Sequence, residues 1–506
     1  MTSCDVSESD NEHGRLFTCL MKAESYIGSH IPPGINWNRI FVILWVCLIA
    51  LNFSRLFYNN YWWDECYSIL LSGKPLDEVM YLTEYYDANP PLYYLILKLF
   101  CTVFGFEPFV YNLVSFIPYL LSMILALTVT RKRLGIVPAA IIILSLSIFD
   151  QSLYFITEVR AYEWTLFFMY VMATLCYEIL IEPKTKYYVL ITIVYICACY
   201  THYYALMCGG LILLALIIKS AIEKDKNGIM MSSLSLLISF LVYIPWMQFF
   251  TKVSDDITTD FWIGDIPSTF NCIEFMFSYN PVKYIFIFFM AVTVVYIISR
   301  IFKIKATDSF LSFFHKDKEK WSFIFIGLFC VFGVILFMMT ISYLKNPVLY
   351  VRYTYPFSVI VWMIVGIFIS GIKAKKIFTA VVLILLISFS IPACTELLTE
   401  EYREGIEINE TLNLTSQLLG DGDVIVTDQS GINKNEFGYY YPGHPFDYIT
   451  NDKMPDMLPD EQYWLFLGTE INDALQNDLA EKGHTVQLEK ENGRMGSHPI
   501  WIYKVL

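Results

Sequence analysis

Charge is scarce in this chain, and so are the signatures of nucleotide chemistry. Only 16% of its 506 residues are Asp, Glu, Lys or Arg, while 56% are hydrophobic and 17% aromatic; that balance excludes an ordinary soluble enzyme. No GxGxxG or GxxxxGK stretch is present, which disfavours a nucleotide-driven pump. The twelve cysteines form no CxxC pair. Most of them (Cys47, Cys101, Cys176, Cys197, Cys199, Cys208, Cys330) stand in apolar stretches and read as small core hydrophobes. Only Cys394 lies beyond residue 392, so no disulfide framework is expected in the C-terminal part. Internal repeats are absent as well. A cleavable signal peptide is not expected, because residues 1–36 are polar and the run Ile40–Phe57 is long enough to remain as a span.

What is present is a series of apolar segments, about eleven of which approach the roughly 20 residues that cross a bilayer as a helix. The run Leu92–Phe104 is short for a crossing. The next span, about 109–130, closes on Arg131-Lys132-Arg133, which the positive-inside rule places in the cytoplasm. If the acidic loop before Leu92 is exterior, Leu92–Phe104 cannot cross and is expected to be re-entrant or interfacial. The later basic clusters (Lys184 and Lys186; Lys219, Lys224 and Lys226; Arg300, Lys303 and Lys305; Lys373, Lys375 and Lys376) then fall inside without adjustment. This predicts a plasma-membrane protein of the cell envelope with its N-terminus in the cytoplasm and its C-terminus outside.

The C-terminal part is a different material. From Ala393 onward stand 21 of the 48 acidic residues but only 7 of the 35 basic ones, which marks a separate acidic module and argues against nucleic acid as a partner. The expected domains are a cytoplasmic tail over 1–36, a membrane domain over 37–392 with a first exterior loop at 59–90, and a soluble extracytoplasmic α/β domain over 393–506. Within the last, the pattern predicts a helix over 404–419, strands at 424–426, 463–467 and 499–505, and a helix over 471–481.

The loop after the first span, YWWDECYSILLSGKPLDEVMYLTEYYDANPPLYY from Tyr61 to Tyr94, carries the Asp64-Glu65 pair, Asp87 and Asn89-Pro90-Pro91. Trp62 and Trp63 are expected to anchor it at the membrane interface. The spacing from Trp62 to Leu71 predicts a short amphipathic helix lying in that surface, with Trp62, Cys66, Ile69 and Leu70 on one side. A half-dry carboxylate there can have a raised pKa and serve as a base. On the same topology Glu158, Arg160, His202 and Arg352 would join Asp64, Glu65 and Asp87 at one edge of the membrane, where unpaired charge is costly. Such a mixed set suits a phosphate-bearing lipid and a hydroxyl acceptor: one carboxylate takes the acceptor proton, and arginine forks hold the departing phosphate. Asp64, Glu65 and Asp87 also offer the oxygen ligands that Mg or Mn prefers.

The ordered stretches YWWDECYS, DANPPLYYLILKLF, FITEVRAYEWTLFF and YTHYYALM resemble the GT-C glycosyltransferases of the protein O-mannosyltransferase and lipid A aminoarabinose transferase superfamily. The resemblance spans roughly 40–207, and beyond that rests on topology and VRYTYPF. It implies a polytopic α-helical GT-C membrane fold and a polyprenyl or dolichyl phosphate sugar as donor, with inversion at the anomeric carbon. It implies Asp64 as base and Glu65 as a positioning or metal-associated carboxylate. Arg160 and Arg352 match positions that could face the lipid phosphate, with Tyr162 and His202 nearby; Asp87, Asn89 and Glu158 complete the expected substrate-binding set. The acceptor, whether lipid, glycan or protein, stays open. Two departures stand out: Asn89 occupies the place of the family's usual His before the double proline, and Tyr111-Asn112 stand where an Arg is common. The rival reading from another class is a transporter or flippase of lipid-linked saccharides. Such proteins often show two related halves and midplane charges, neither of which the sequence displays.

Overall fold

The structure, a computed structural model, describes residues 36–87, 89–256, 263–301, 317–372, 375–428, 434–449, 463–496 and 498–506. The expected N-terminal tail, Asp260 of the loop near 255–265, and the basic residues Lys303, Lys305 and Lys373 lie outside the described residues.

Among the described residues, eight helices are long and apolar enough to cross a membrane, and four further apolar helices are shorter: Leu92–Phe104, Ile136–Ile148, Thr185–Cys199 and Val282–Val295. The eight, with the last three of the shorter set, stand where the eleven spans were expected. Leu92–Phe104 has 13 residues, a rise of about 20 Å against a core of about 30 Å; Ile136–Ile148 is equally short, so length alone does not separate the two. The bundle is layered by burial. In Val351–Gly371 and Tyr162–Ile181 most of the apolar window is inside the protein, 89% and 78%; in Lys226–Phe249 only 28% is. The exposed side chains of that outer helix include Leu237, Phe240, Leu241 and Ile244, a surface that only lipid tolerates. The chain is an integral membrane protein.

Close helix contact at the centre depends on one glycine. A Cβ on Gly366 would stand 2.5 Å from Pro138 Cα and 2.7 Å from Pro138 Cβ, so Val351–Gly371 meets Ile136–Ile148 backbone to backbone, the usual use of small residues between membrane helices. Gly366→Val is therefore expected to destabilise the protein by about 1–3 kcal/mol, read as a lower midpoint of thermal unfolding in detergent.

The last span continues without a break. Helix Lys375–Leu418 runs for 44 residues through Pro392, so the expected domain boundary at 392/393 falls inside a single helix, whose polar half carries the chain into the C-terminal sheet domain. There a five-stranded sheet is ordered β2-β1-β3-β5-β4, with β1 Ile425–Thr427, β2 Phe446–Tyr448, β3 Tyr463–Leu467, β4 Val486–Met495 and β5 His498–Val505. The pairs β1/β2 and β1/β3 are parallel; β3/β5 and β5/β4 are antiparallel. All five residues of β3 are buried: Trp464 and Phe466 meet Ile408 and Phe437 on one face, while Tyr463 and Leu465 meet Leu475 and Leu479 on the other. Burial on both faces is why it reads as an unbroken apolar run. Strands β2 and β4 and the helix Lys434–Tyr440 were not expected; β4, VQLEKENGRM, is half exposed and mostly polar, so no apolar alternation marks it.

Candidate active site

The Asp64-Glu65 pair sits in the first turn of helix Trp63–Gly73, where carboxylates favour the helix dipole and its open N–H groups. The two carboxylates face different duties. Glu65 is buried; its Oε2 accepts from the Trp62 backbone N–H at 3.2 Å and its Oε1 from that of Val159 at 2.8 Å. It caps its own helix and ties it to the 158–160 turn. Burial, and then the neighbouring Glu158, push its carboxyl well above the usual range. Asp64 is more open, its side chain 38% exposed, with Oδ2 at 3.7 Å from Nη2 of Arg160.

This helix does not lie in a lipid surface as expected. It is packed between Leu92–Phe104 and Lys434–Tyr440, and Cys66, Ile69, Tyr93, Tyr94 and Tyr61 share one apolar cluster with Tyr439 and Tyr440 against it. The side that alternation marks as apolar is covered by the C-terminal sheet domain, some 370 residues away in sequence. Trp62 likewise is no lipid anchor: the guanidinium of Arg352 lies over its ring, 4.9 Å from the centroid, a cation–π contact.

Two arginines flank Glu158. Arg160 is held by Nη1 contacts to Tyr94 OH at 3.1 Å, Ser68 Oγ at 3.3 Å and the Asp64 carbonyl at 3.4 Å. Arg352 Nη1 lies 3.9 Å from Glu158 Oε1. Glu158 itself is buried, and neither carboxylate oxygen has a hydrogen-bond partner. Burial pushes its pKa up to about 7, although Arg352 and Arg160 pull it down.

Asp87 reaches the same group from the other side. Its Oδ1 accepts from the Asn89 backbone N–H at 2.8 Å and side-chain amide at 3.1 Å, and its carboxylate adjoins the hydroxyls of Tyr67 and Tyr94. Asn89 thus shapes the turn that presents Asp87. Tyr162 and His202 adjoin through their rings, 5.8 Å apart, with Tyr353 at 5.6 Å from His202. His202 Nδ1 accepts from Tyr204 N at 3.2 Å, capping helix Tyr203–Ile222. Burial, then Arg160, lower its pKa to about 3, so it stays neutral.

Asp64, Glu65 and Asp87 are the carboxylates expected to offer oxygens to Mg or Mn. Both Glu65 oxygens and Oδ1 of Asp87 already accept N–H groups, and among the described residues no group of three His, Cys, Asp or Glu side chains could hold a metal.

Beside these residues opens a cavity of about 440 Å³. Trp62, Glu65, Glu158 and Arg352 form one wall; Tyr154, Phe155 and Tyr350 add rings; the opposite wall is Glu400, Glu401 and Glu404 of helix Lys375–Leu418 with Arg494 and Gly496 of the sheet domain. The wall is bonded to the loop that follows the first span. Arg55 pairs with Glu401, Tyr58 OH donates to Glu404 at 3.0 Å, and Asn60 Nδ2 donates to the Gly496 carbonyl at 2.9 Å. Tyr440 OH accepts from Tyr61 N at 2.6 Å and donates to Tyr61 O at 3.0 Å. Gly496 has φ +55°, and a Cβ there would meet the Glu436 carboxylate and Tyr61 O; only glycine lets this turn nest on the loop.

Of the nine expected site residues, Glu65, Glu158 and Arg352 line the cavity; Asp64, Asp87, Asn89, Arg160, Tyr162 and His202 stand behind them. Tyr94, Ser68, Trp62 and Tyr353 join them from the same motifs, as positions whose polar atoms or rings touch the arginines and His202. Nothing in the local pattern singles out Arg494, Glu400 or Glu404, which arrive through the tertiary fold.

Residues 88–249 match the sequence model of a family described as dolichyl-phosphate-mannose-protein mannosyltransferase. That range includes Glu158, Arg160, Tyr162 and His202; it begins after Asp64, Glu65 and Asp87 and ends before Arg352. No curated protein is detectably similar in sequence. Among solved structures, ArnT from Cupriavidus metallidurans in the apo state is similar, with a TM-score of 0.57 and 11% identity over 92% of this chain and 97% of that one. The same protein bound to undecaprenyl phosphate gives a TM-score of 0.58 at 11% identity, over 91% and 97%. The expected resemblance and fold are borne out: the chain has the ArnT fold, a helical membrane bundle with a small C-terminal sheet domain.

Proposed function

We propose that this chain is a membrane glycosyltransferase that takes a sugar from a polyprenyl phosphate carrier. The observation that carries this reading is the pairing of an accessible carboxylate, Asp64, with two arginines placed around Glu158 beside a cavity at one end of the bundle. The family match and the fold shared with a protein seen bound to undecaprenyl phosphate support it. In the reaction, an acceptor hydroxyl attacks the anomeric carbon and its proton passes to Asp64. The bond from that carbon to the phosphate oxygen breaks, the electron pair leaves on the lipid phosphate, and attack opposite the leaving group inverts the centre. Arg352 holds the phosphate, Arg160 orients Asp64, and Glu65 fixes the helix that carries it.

This chemistry belongs outside the cell. The exterior loop meets the start of helix Pro108–Arg133, where Tyr61 OH donates to the Pro108 carbonyl at 3.3 Å. The basic cluster Arg131-Lys132-Arg133 closes the far end of this same 26-residue segment, about 39 Å long. With that cluster cytoplasmic, the site and the soluble domain are extracytoplasmic and the N-terminus is cytoplasmic.

The test is purified protein in vesicles with a radiolabelled polyprenyl phosphate hexose. Label leaving the lipid by cleavage of the sugar–phosphate bond is the expected result. Movement of intact labelled lipid between leaflets without cleavage would instead make the protein a flippase.

A pH dependence follows with a definite sign. Below about 7 Glu158 is neutral and leaves Arg352 its full charge for the phosphate; above it, the carboxylate competes. The half-saturating donor concentration is expected to rise about three- to tenfold from pH 6 to pH 8, and Glu158→Gln is expected to flatten that rise. A step that persists in the variant would assign it to another group.

A further inference from the structure

The cavity between the bundle and the soluble domain holds buried polar atoms of both kinds without hydrogen-bond partners: the acceptors Oε1 and Oε2 of Glu158 and the donors Nε1 of Trp62 and Nε of Arg494. Buried groups left so cost free energy until something pairs with them. A cation would satisfy only the carboxylate, and an anion only the indole and the guanidinium. A hydroxyl does both, because it donates and accepts. The Trp62 indole N–H stands close enough to the Glu158 carboxylate to help hold its pKa down, so one hydroxyl beside them would accept from the first and donate to the second. Around these atoms stand the rings of Tyr154 and Tyr350, flat apolar faces of the kind that the C–H faces of a sugar cover. At about 440 Å³ the space admits a small oligosaccharide segment and is too narrow for a folded protein chain.

The two ends of the cavity differ. Arg352 opens the span Val351–Gly371 and belongs to the membrane end, whereas Arg494 lies on β4 and Glu404 on the polar half of the last helix. Arg494 is itself fastened there, paired with Glu404 and 3.8 Å from Glu407. A lipid-borne donor reaches the first end, and a water-borne molecule the second.

We infer that the wall built by the soluble domain is the acceptor subsite, and that the acceptor it takes is a saccharide, bound through Trp62, Glu158 and Arg494 so that one of its hydroxyls is glycosylated. This rests on the transferase reading above. The saccharide hydroxyl oxygen forms the new bond to the anomeric carbon, its proton goes to Asp64, and polyprenyl phosphate leaves with the electron pair. Arg494 is then a specificity-determining residue contributed by the domain that the sequence marks only as acidic.

Full-length protein in nanodiscs, loaded with radiolabelled polyprenyl phosphate hexose, would be offered in parallel a panel of disaccharides, a Ser/Thr-rich peptide and a lipid phosphate. The expected product is labelled trisaccharide. Trp62→Phe, which keeps the ring and removes the N–H, and Arg494→Lys, which keeps the charge and removes Nε, should each raise the half-saturating disaccharide concentration about five- to tenfold. That rise should exceed any change in the half-saturating donor concentration. Label appearing only on the peptide, the lipid phosphate or water, or disaccharide saturation that is the same in both variants, overturns the subsite. Absence of donor cleavage under every condition is a different result and overturns the transferase reading itself.

Discussion

Asp64→Asn is expected to lower sugar transfer by about 10²–10⁴-fold, the range associated with removing a general base. The substitution keeps the size of the side chain and its place in the first turn of helix Trp63–Gly73, so the loss should appear in turnover with the protein still folded. The choice among the carboxylates is physical. Glu65 has both oxygens committed to backbone N–H groups, and Glu158 is buried between two arginines. Asp64 alone of the three combines an open side chain with a cation, Arg160 at 3.7 Å, that keeps it oriented. The measurement is release of labelled sugar from polyprenyl phosphate hexose at saturating donor, alongside a thermal melt. Turnover equal to that of the unaltered protein would remove Asp64 from the chemistry. Glu65→Gln offers the contrast: it weakens the link to Val159, and its effect should fall on stability as well as rate.

Arg352→Ala is expected to reduce the catalytic efficiency for the donor by about 10²–10³-fold, as for removal of a group that stabilises a departing oxyanion. Arg352→Lys should recover only part of this, because an ammonium supplies the charge without the planar fork that matches a phosphate. The location supports the larger effect here than at Arg160. Arg160 is spent on Tyr94, Ser68 and Asp64 within the protein, whereas Arg352 lines the cavity over the Trp62 ring. Removing either arginine also leaves Glu158 with less compensation, and the variant Arg352→Ala/Glu158→Gln separates the two contributions. If the double variant regains most of the donor efficiency, Arg352 serves Glu158 and not the phosphate.

The expected spans match the observed helices closely because membrane helices write their lengths directly in hydropathy: lipid removes water from the backbone, and each segment must satisfy its own hydrogen bonds. Strand β3 was legible for a related reason, since burial on both faces leaves only apolar residues. Strand β4 and the short β2 were not, because an exposed edge places few constraints on side-chain polarity. The amphipathic side of Trp63–Gly73 was read correctly as apolar and assigned to the wrong partner. Period and polarity say that a face must be covered; they do not say whether lipid or Tyr439 and Tyr440 cover it.

By itself the sequence determined the membrane architecture, the acidic C-terminal module and the short stretches that hold Asp64, Glu65, Glu158, Arg160, His202 and Arg352, since each is a local matter of hydropathy, charge or residue order. Only the tertiary structure decided that Arg352 reaches Glu158, that Arg160 reaches Asp64, that Glu65 is spent on Val159, and that Arg494 closes the far wall of the cavity. Those pairings join residues from about 90 to more than 400 positions apart, and they arise from how helices and a sheet pack together, which no window along the chain contains.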